Sequence, residues 1–119
     1  MKRTIKQIVG DAKITEGRVR LDIPPLVENG NTVPCTVTVD SPMVAEDFVK
    51  AIHIVNEKNP QPNIISAHLN PRCGKATFST RIRLSDTQTV VAIAEMSDGS
   101  FWSQSTNVII TLGACLEDS

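Results

Sequence analysis

The chain has 119 residues, the size of one domain, and 40% of them are hydrophobic, enough for one core. Aromatics make up only 3% with no Tyr, so Val, Ile, Ala and Leu must build that core. The 12 basic residues are scattered and balanced by 13 acidic ones, which argues against a nucleic-acid interface, and no apolar run approaches the ~20 residues of a bilayer span.

The start, "MKRTIKQIVGDAK", is basic but shows no apolar h-region and no small-residue cleavage site. It reads as an incomplete secretory signal, which fits either a cytoplasmic protein or a mature exported form behind a new initiator Met. Ile5, Ile8 and Val9 recur at helical spacing before Gly10, predicting a short N-terminal helix at about 3–10.

After "TEG" the period changes to two. "RVRLDI" puts Val19, Leu21 and Ile23 on one face and Arg18, Arg20 and Asp22 on the other. "NTVPCTVTVD" alternates Val33, Cys35, Val37 and Val39 with polar residues and Pro34, and "ATFSTRIRL" alternates Ala76, Phe78, Thr80, Ile82 and Leu84 with Thr77, Ser79, Arg81 and Arg83. This is the pattern of half-buried strands. Further strand-like runs are "FVKAIHIVNE", "NIISAHL", "TVVAIAEM" and "FWSQSTNVIITL", separated by the turn chemistry of "PP", "ENGN", "SP", "NPQP", "NPRCG" and "SDGS". In "SDGS", Gly99 can take positive φ at little cost, as a hairpin turn requires. Seven such strands with almost no helix predict an all-β fold, an immunoglobulin-like antiparallel sandwich.

Two strands are apolar on both faces. Val49, Ala51 and Val55 oppose Phe48, Ile52 and Ile54, and Val91 and Ile93 oppose Val90, Ala92 and Ala94. Both faces then need cover, from the N-terminal helix or from a partner protein, and the pattern alone favours the partner.

No Ser-His-Asp or Cys-His arrangement and no phosphate-binding loop stands out. His53 and His68 lie in different strands and would form a copper or zinc site only if Cys73 or Met96 joined them; ordinary strand histidines are the better reading. Three cysteines without a CxxC pair argue against a disulfide framework or zinc knuckle. Cys35 lies among inward valines as a small buried hydrophobe. Cys73, in "PRCGK" beside Arg72 and Lys75, sits where positive charge favours a thiolate, though a plain turn residue is the simpler reading. Cys115 differs: it lies in "GACLEDS" beyond the last strand, on a tail with Gly113 as hinge and Ala114 as a slim neighbour. A thiol on such a tether can enter another protein's narrow site, as a covalent carrier requires. The following Glu117 and Asp118 disfavour the thiolate. On tail position alone, carrier and accident stand equal.

The stretches "ENGNTVP", "NEKNPQPN", "TRIRL" and "AEMSDGSFW", within a likeness running from about residue 5 to 115, resemble the SoxY family, sulfur carriers of the bacterial Sox thiosulfate-oxidation system. The resemblance implies an immunoglobulin-like sandwich over 1–112, a flexible carrier arm over 113–119, and a periplasmic location. It implies that the chain is not an enzyme and carries no cofactor, only a covalent sulfur adduct on Cys115, with Gly113 and Ala114 standing for the first two glycines of a Gly-Gly-Cys-Gly-Gly arm. The implied partners are a SoxZ-like sandwich subunit and, transiently, the SoxAX cytochrome, the SoxB hydrolase and a sulfur dehydrogenase. Nucleic acid and membrane are not among them; a homo-oligomer or Cys115-linked dimer is the expectation for the chain alone. The sequence departs from the family at Leu116 and Glu117, which replace two glycines. An interaction module with an altered arm is therefore the alternative.

Overall fold

The computed structural model describes residues 5, 8–10, 13–28, 30, 32–44, 46–56, 63–70, 72 and 75–111. Among the described residues, nine strands form two layers. β1 (Ile14–Glu16), β9 (Phe101–Ile110), β8 (Gln88–Met96), β5 (Val49–Asn56) and β6 (Asn63–His68) lie side by side in that order, with β3 (Leu26–Val27) also on β9. β2 (Val19–Asp22), β4 (Val33–Val39) and β7 (Thr77–Ile82) make the smaller sheet. The sandwich predicted from period two is present. The expected purely antiparallel pairing is modified, because β1 and β3 both run parallel to β9. These two strands are only three and two residues long, too short to show a period in sequence.

The strict alternators behave as their pattern demands. Val19, Leu21, Val33, Cys35, Val37 and Val39 are buried, and Val33↔Ile82, Cys35↔Thr80 and Val37↔Phe78 are cross-strand pairs. Their inward faces meet Val49, Ile52, Ile54, Val90, Ala92, Ala94, Met96 and Val108 from the larger sheet in one core. The free edge of β2 is stitched to the opposite layer: the Leu21 amide donates to Gln104 Oε1 at 2.6 Å. An edge amide that would otherwise recruit a foreign strand is thereby occupied.

The strands apolar on both faces require two corrections. A β-bulge at Lys50 sets Val49 opposite Met96 and Ala51 opposite Glu95. The extra residue reverses the parity, so Val49 joins Ile52 and Ile54 in the main core instead of sharing a face with Ala51 and Val55. The second correction concerns cover. Val55, Val91, Ile93 and Phe101 form a separate buried cluster on the outer face of the larger sheet, packed by Ile5, Ile8, Val9 and Ile14. Of the two covers that the pattern allowed, the chain's own N-terminal stretch, and not the slightly favoured partner, packs this patch. Ile5, Ile8 and Val9 are helical and Gly10 follows with φ of +62°, where the predicted helix was to stop. The remaining residues of the predicted 3–10 span, apart from Gly10, lie outside the described residues.

The hairpin turn falls at "SDGS". Gly99 has φ of +88°, the Met96 amide donates to the Ser100 carbonyl at 2.9 Å, and Asp98 accepts from the Ser100 amide and hydroxyl at 2.9 and 2.6 Å. These two bonds favour the carboxylate and hold Asp98 below the usual range.

Candidate functional site

β9 is the strand from which the C-terminal tail departs, and it is an interior strand. Along its length it pairs with β8 from Glu95↔Phe101 to Gln88↔Val108. On its other side it holds β1 at its start and β3 at its end. The last described turn of chain is pinned by several bonds. The Ile109 amide donates to the Pro25 carbonyl at 2.8 Å and the Thr111 amide to the Val27 carbonyl at 2.9 Å. The Ile110 amide donates to Thr87 Oγ1 at 2.9 Å. Gly30 lies beside this end: a methyl group there would collide with the Leu84 carbonyl, and its own carbonyl accepts from the Leu84 amide at 2.7 Å. The base of the tail is therefore a fixed point on the scaffold. Gly113, Ala114 and Cys115 lie outside the described residues, as does Cys73.

Cys35 is described, and it is chemically quiet. Its residue is 2% exposed, and burial, reinforced by the negative charge of Asp22, pushes its thiol up to about 11. A thiol that ionises so high is a poor nucleophile at neutral pH. The sequence-based reading of Cys35 as a core hydrophobe stands, and reactive sulfur must be sought at the other two cysteines.

The histidines share the outer face of the larger sheet. Ala51↔His68 and His53↔Ser66 are register pairs of β5 and β6, so the two rings are diagonal neighbours. Buried His53 holds Ser66 Oγ at 2.7 Å through Nδ1. Its Nε2 has no hydrogen-bond partner and faces Glu95 Oε1 at 3.9 Å, beyond hydrogen-bond reach. Glu95 also lies 3.4 Å from the Lys50 ammonium. Burial lowers the His53 pKa, the Glu95 carboxylate opposes that shift, and His68 adds to it. Met96 points the other way, buried in the main core, and cannot join these rings as a ligand. Among the described residues no group of three His, Cys, Asp or Glu is placed to hold a metal ion. Ser66, His53 and Glu95 lie in a row, but the long Glu95 contact leaves the imidazole without the firm orientation a nucleophile's base needs. The arrangement is that of a buried histidine on a sheet face, paired at Nδ1 and left without a hydrogen bond at Nε2. Sequence reasoning did not bring Glu95 to His53, because a diagonal neighbour across β5 and β8 is fixed by the bulge-set register.

Two further features escaped sequence reasoning. The Arg18 guanidinium lies 5.4 Å from the Trp102 ring centroid, and Arg18 has φ of +57°. Leu26 and Ile109, a register pair at the end of β9, are 62% and 45% exposed. Their pairing depends on the two-residue strand that the period could not reveal.

The sequence matches the family of the sulfur oxidation protein SoxY over residues 5–115. The chain belongs to the SoxY family. A solved relative agrees: the sulfur carrier protein SoxY from Chlorobium limicola f thiosulfatophilum superposes with TM-score 0.76 at 26% identity, over 92% of this chain and 94% of that one. Superoxide reductase (neelaredoxin) from Ignicoccus hospitalis gives TM-score 0.69 at 15% identity, over 80% and 81% of the two chains. A putative superoxide reductase from Thermotoga maritima gives 0.68 at 16%, over 84% and 94%. At such identities the reductases share the fold alone. No curated protein matches the sequence. Against the SoxY family, the immunoglobulin-like sandwich expected from the strand pattern is confirmed, and the family match extends through the tail as far as Cys115.

Proposed function

We propose that this SoxY-family chain is a covalent sulfur carrier whose attachment point is Cys115. The observation that carries the reading is the family match through residue 115, beyond an interior strand whose end is pinned on both sides. A carrier needs a stiff body and a reactive group on a short tether, so that the group visits several sites at high local concentration. Buried Cys35 is unsuited to that task, which supports a cysteine outside the sandwich.

In the proposed cycle, the Cys115 thiol and thiosulfate join through a new S–S bond, giving Cys–S–S–SO3−. The thiol proton leaves, and two electrons pass to a c-type cytochrome of the SoxAX kind. Water then cleaves the terminal S–S bond in a SoxB-type hydrolase, releasing sulfate and two protons and leaving the persulfide Cys–S–S−. A sulfur dehydrogenase then oxidises the remaining sulfane with three waters to Cys–S–SO3−, releasing six protons and passing six electrons to a c-type cytochrome. A second hydrolysis of the S–S bond releases sulfate and a proton and restores the Cys115 thiol. Each catalyst is a separate protein; the chain supplies the thiol and the scaffold. Its place is the periplasm, where such a cycle meets its cytochrome, and a SoxZ-like sandwich is its stable partner. Gly113 and Ala114 supply the slim approach; Leu116 and Glu117 make turnover in the hydrolase slow, because bulky flanks fit a narrow entrance poorly.

Treatment with tetrathionate followed by peptide mass mapping tests the site. The expected adduct is on Cys115 and vanishes in Cys115→Ser. An adduct on Cys73 with Cys115 unmodified refutes the assignment. The departure at Leu116 and Glu117 favours one other reading, a sandwich interaction module with an idle arm. It predicts wild-type partner binding and no sulfur transfer to lose in Cys115→Ser.

A further inference from the structure

Three large apolar side chains stand out as exposed among the described residues: Leu26 at 62%, Ile109 at 45% and Val44 at 44%. Leu26 and Ile109 are a register pair on β3 and β9, two residues before Thr111. Val44 lies at the opposite end of the sandwich, bridged to Asp47 just before β5, whose Val49 pairs with Met96 beside the β8–β9 turn. Between the two ends runs β9, Phe101–Ile110, about 30 Å of strand.

The pair is also held still. β3 is fixed to β9 by the Ile109 amide on the Pro25 carbonyl at 2.8 Å and the Thr111 amide on the Val27 carbonyl at 2.9 Å. Thr111 Oγ1 adds a bond to the same Val27 carbonyl at 3.4 Å. The neighbouring Val27 and Ile110 pack against the main core, so the exposed pair stands on a buried footing.

We infer that Leu26 and Ile109 form an apolar foot on which the enzymes acting on Cys115 seat the lip of their active-site entrance. This rests on the carrier reading above and names the surface through which that carrier is received. The argument is one of reach. Cys115 is the fourth residue after Thr111, so its Cα lies at most about 14 Å from the end of the scaffold. An enzyme that draws this thiol into a recess must bring its rim against the end of β9, where the apolar pair stands. Two side chains are a small part of the about 800 Å² per partner that a lasting complex buries. They suit a visiting enzyme, whose contact must release after each step, better than a permanent subunit. The occupant is therefore a protein rim with apolar side chains beside an opening wide enough for an extended strand.

The test uses the full chain with its stable partner subunit and measures thiosulfate-dependent reduction of the conjugating cytochrome, with the carrier as varied substrate. Leu26→Asp and Ile109→Asp are each expected to lower kcat/KM for the carrier about tenfold or more through a raised KM. Leu26→Met keeps the apolar contact and is expected to match wild type, as is Val44→Asp at the far end. The rate of tetrathionate modification at Cys115 is expected to be equal in all of them. Wild-type kcat/KM in both aspartate variants overturns the inference while leaving the carrier reading intact. Absence of any Cys115-dependent reduction in wild type overturns the carrier reading itself. Faster tetrathionate modification in the aspartate variants identifies the chain's own tail as occupant, and dissociation of the stable complex identifies the partner subunit or a second copy; either result overturns the inference.

Discussion

The quietness of Cys35 gives a sharp chemical test of where reactive sulfur resides. Its thiol ionises at about 11 against an ordinary 9.0, and its residue is 2% exposed. Two units of pKa reduce the thiolate fraction at pH 8 about a hundredfold relative to an unperturbed thiol, before any loss from restricted access. Native protein treated with iodoacetamide at pH 8 and mapped by mass spectrometry is expected to label Cys115 at least a hundred times faster than Cys35. In denaturant the two should react at similar rates. The same shift has a thermodynamic face. The folded-state pKa lies above the unfolded one, so the stabilising contribution is complete below pH 9 and is lost as pH rises through about 11. Two units correspond to roughly 2–3 kcal/mol, which Cys35→Ala abolishes as a pH dependence while adding the smaller cost of a cavity. Native labelling of Cys35 at a rate comparable to Cys115, or alkaline unfolding identical in wild type and Cys35→Ala, would show that burial does not govern this thiol.

Four other substitutions probe the scaffold. Burial lowers the His53 pKa, so its stabilising contribution is present above about 6.5 and is lost as pH falls through the depressed value; His53→Gln should flatten the fall in Tm between pH 7 and 5. Gly30→Ala forces a methyl group onto the Leu84 carbonyl at the base of the tail and should cost about 1–3 kcal/mol in urea unfolding, whereas Gly10→Ala meets no neighbour and carries only the strain of its φ of +62°. Gln104→Leu leaves the Leu21 amide without its 2.6 Å acceptor and should destabilise by about 1–3 kcal/mol; an unchanged urea midpoint would mean the two layers do not depend on that stitch.

Much of the fold was legible because period two is a local property. Val19, Leu21, Val33, Val37, Ile82 and Leu84 went inside as their alternation demands, and Gly99 turned the chain where a positive φ was needed. The chemistry of Cys35 was legible for the same reason, since its neighbours two residues away are all inward valines. Where the reading failed, the cause was not local. A single bulge at Lys50 reversed the face of Val49, and no sequence period announces an inserted residue. The cover over Val55, Val91, Ile93 and Phe101 came from Ile5, Ile8, Val9 and Ile14, whose approach depends on how the N-terminal stretch folds back.

Sequence alone therefore determined the strand content, the inward faces of the regular strands and the likeness to sulfur carriers, all of which rest on neighbours along the chain or on long matching stretches. The tertiary structure decided which strands adjoin, and with that everything requiring two distant segments. It set β9 between β8 and two short parallel strands, joined His53 to Ser66 and Glu95, and left Leu26 and Ile109 together in solvent at the end of the last strand. Such contacts follow from the register of backbone hydrogen bonds between segments tens of residues apart, which no window along the chain contains.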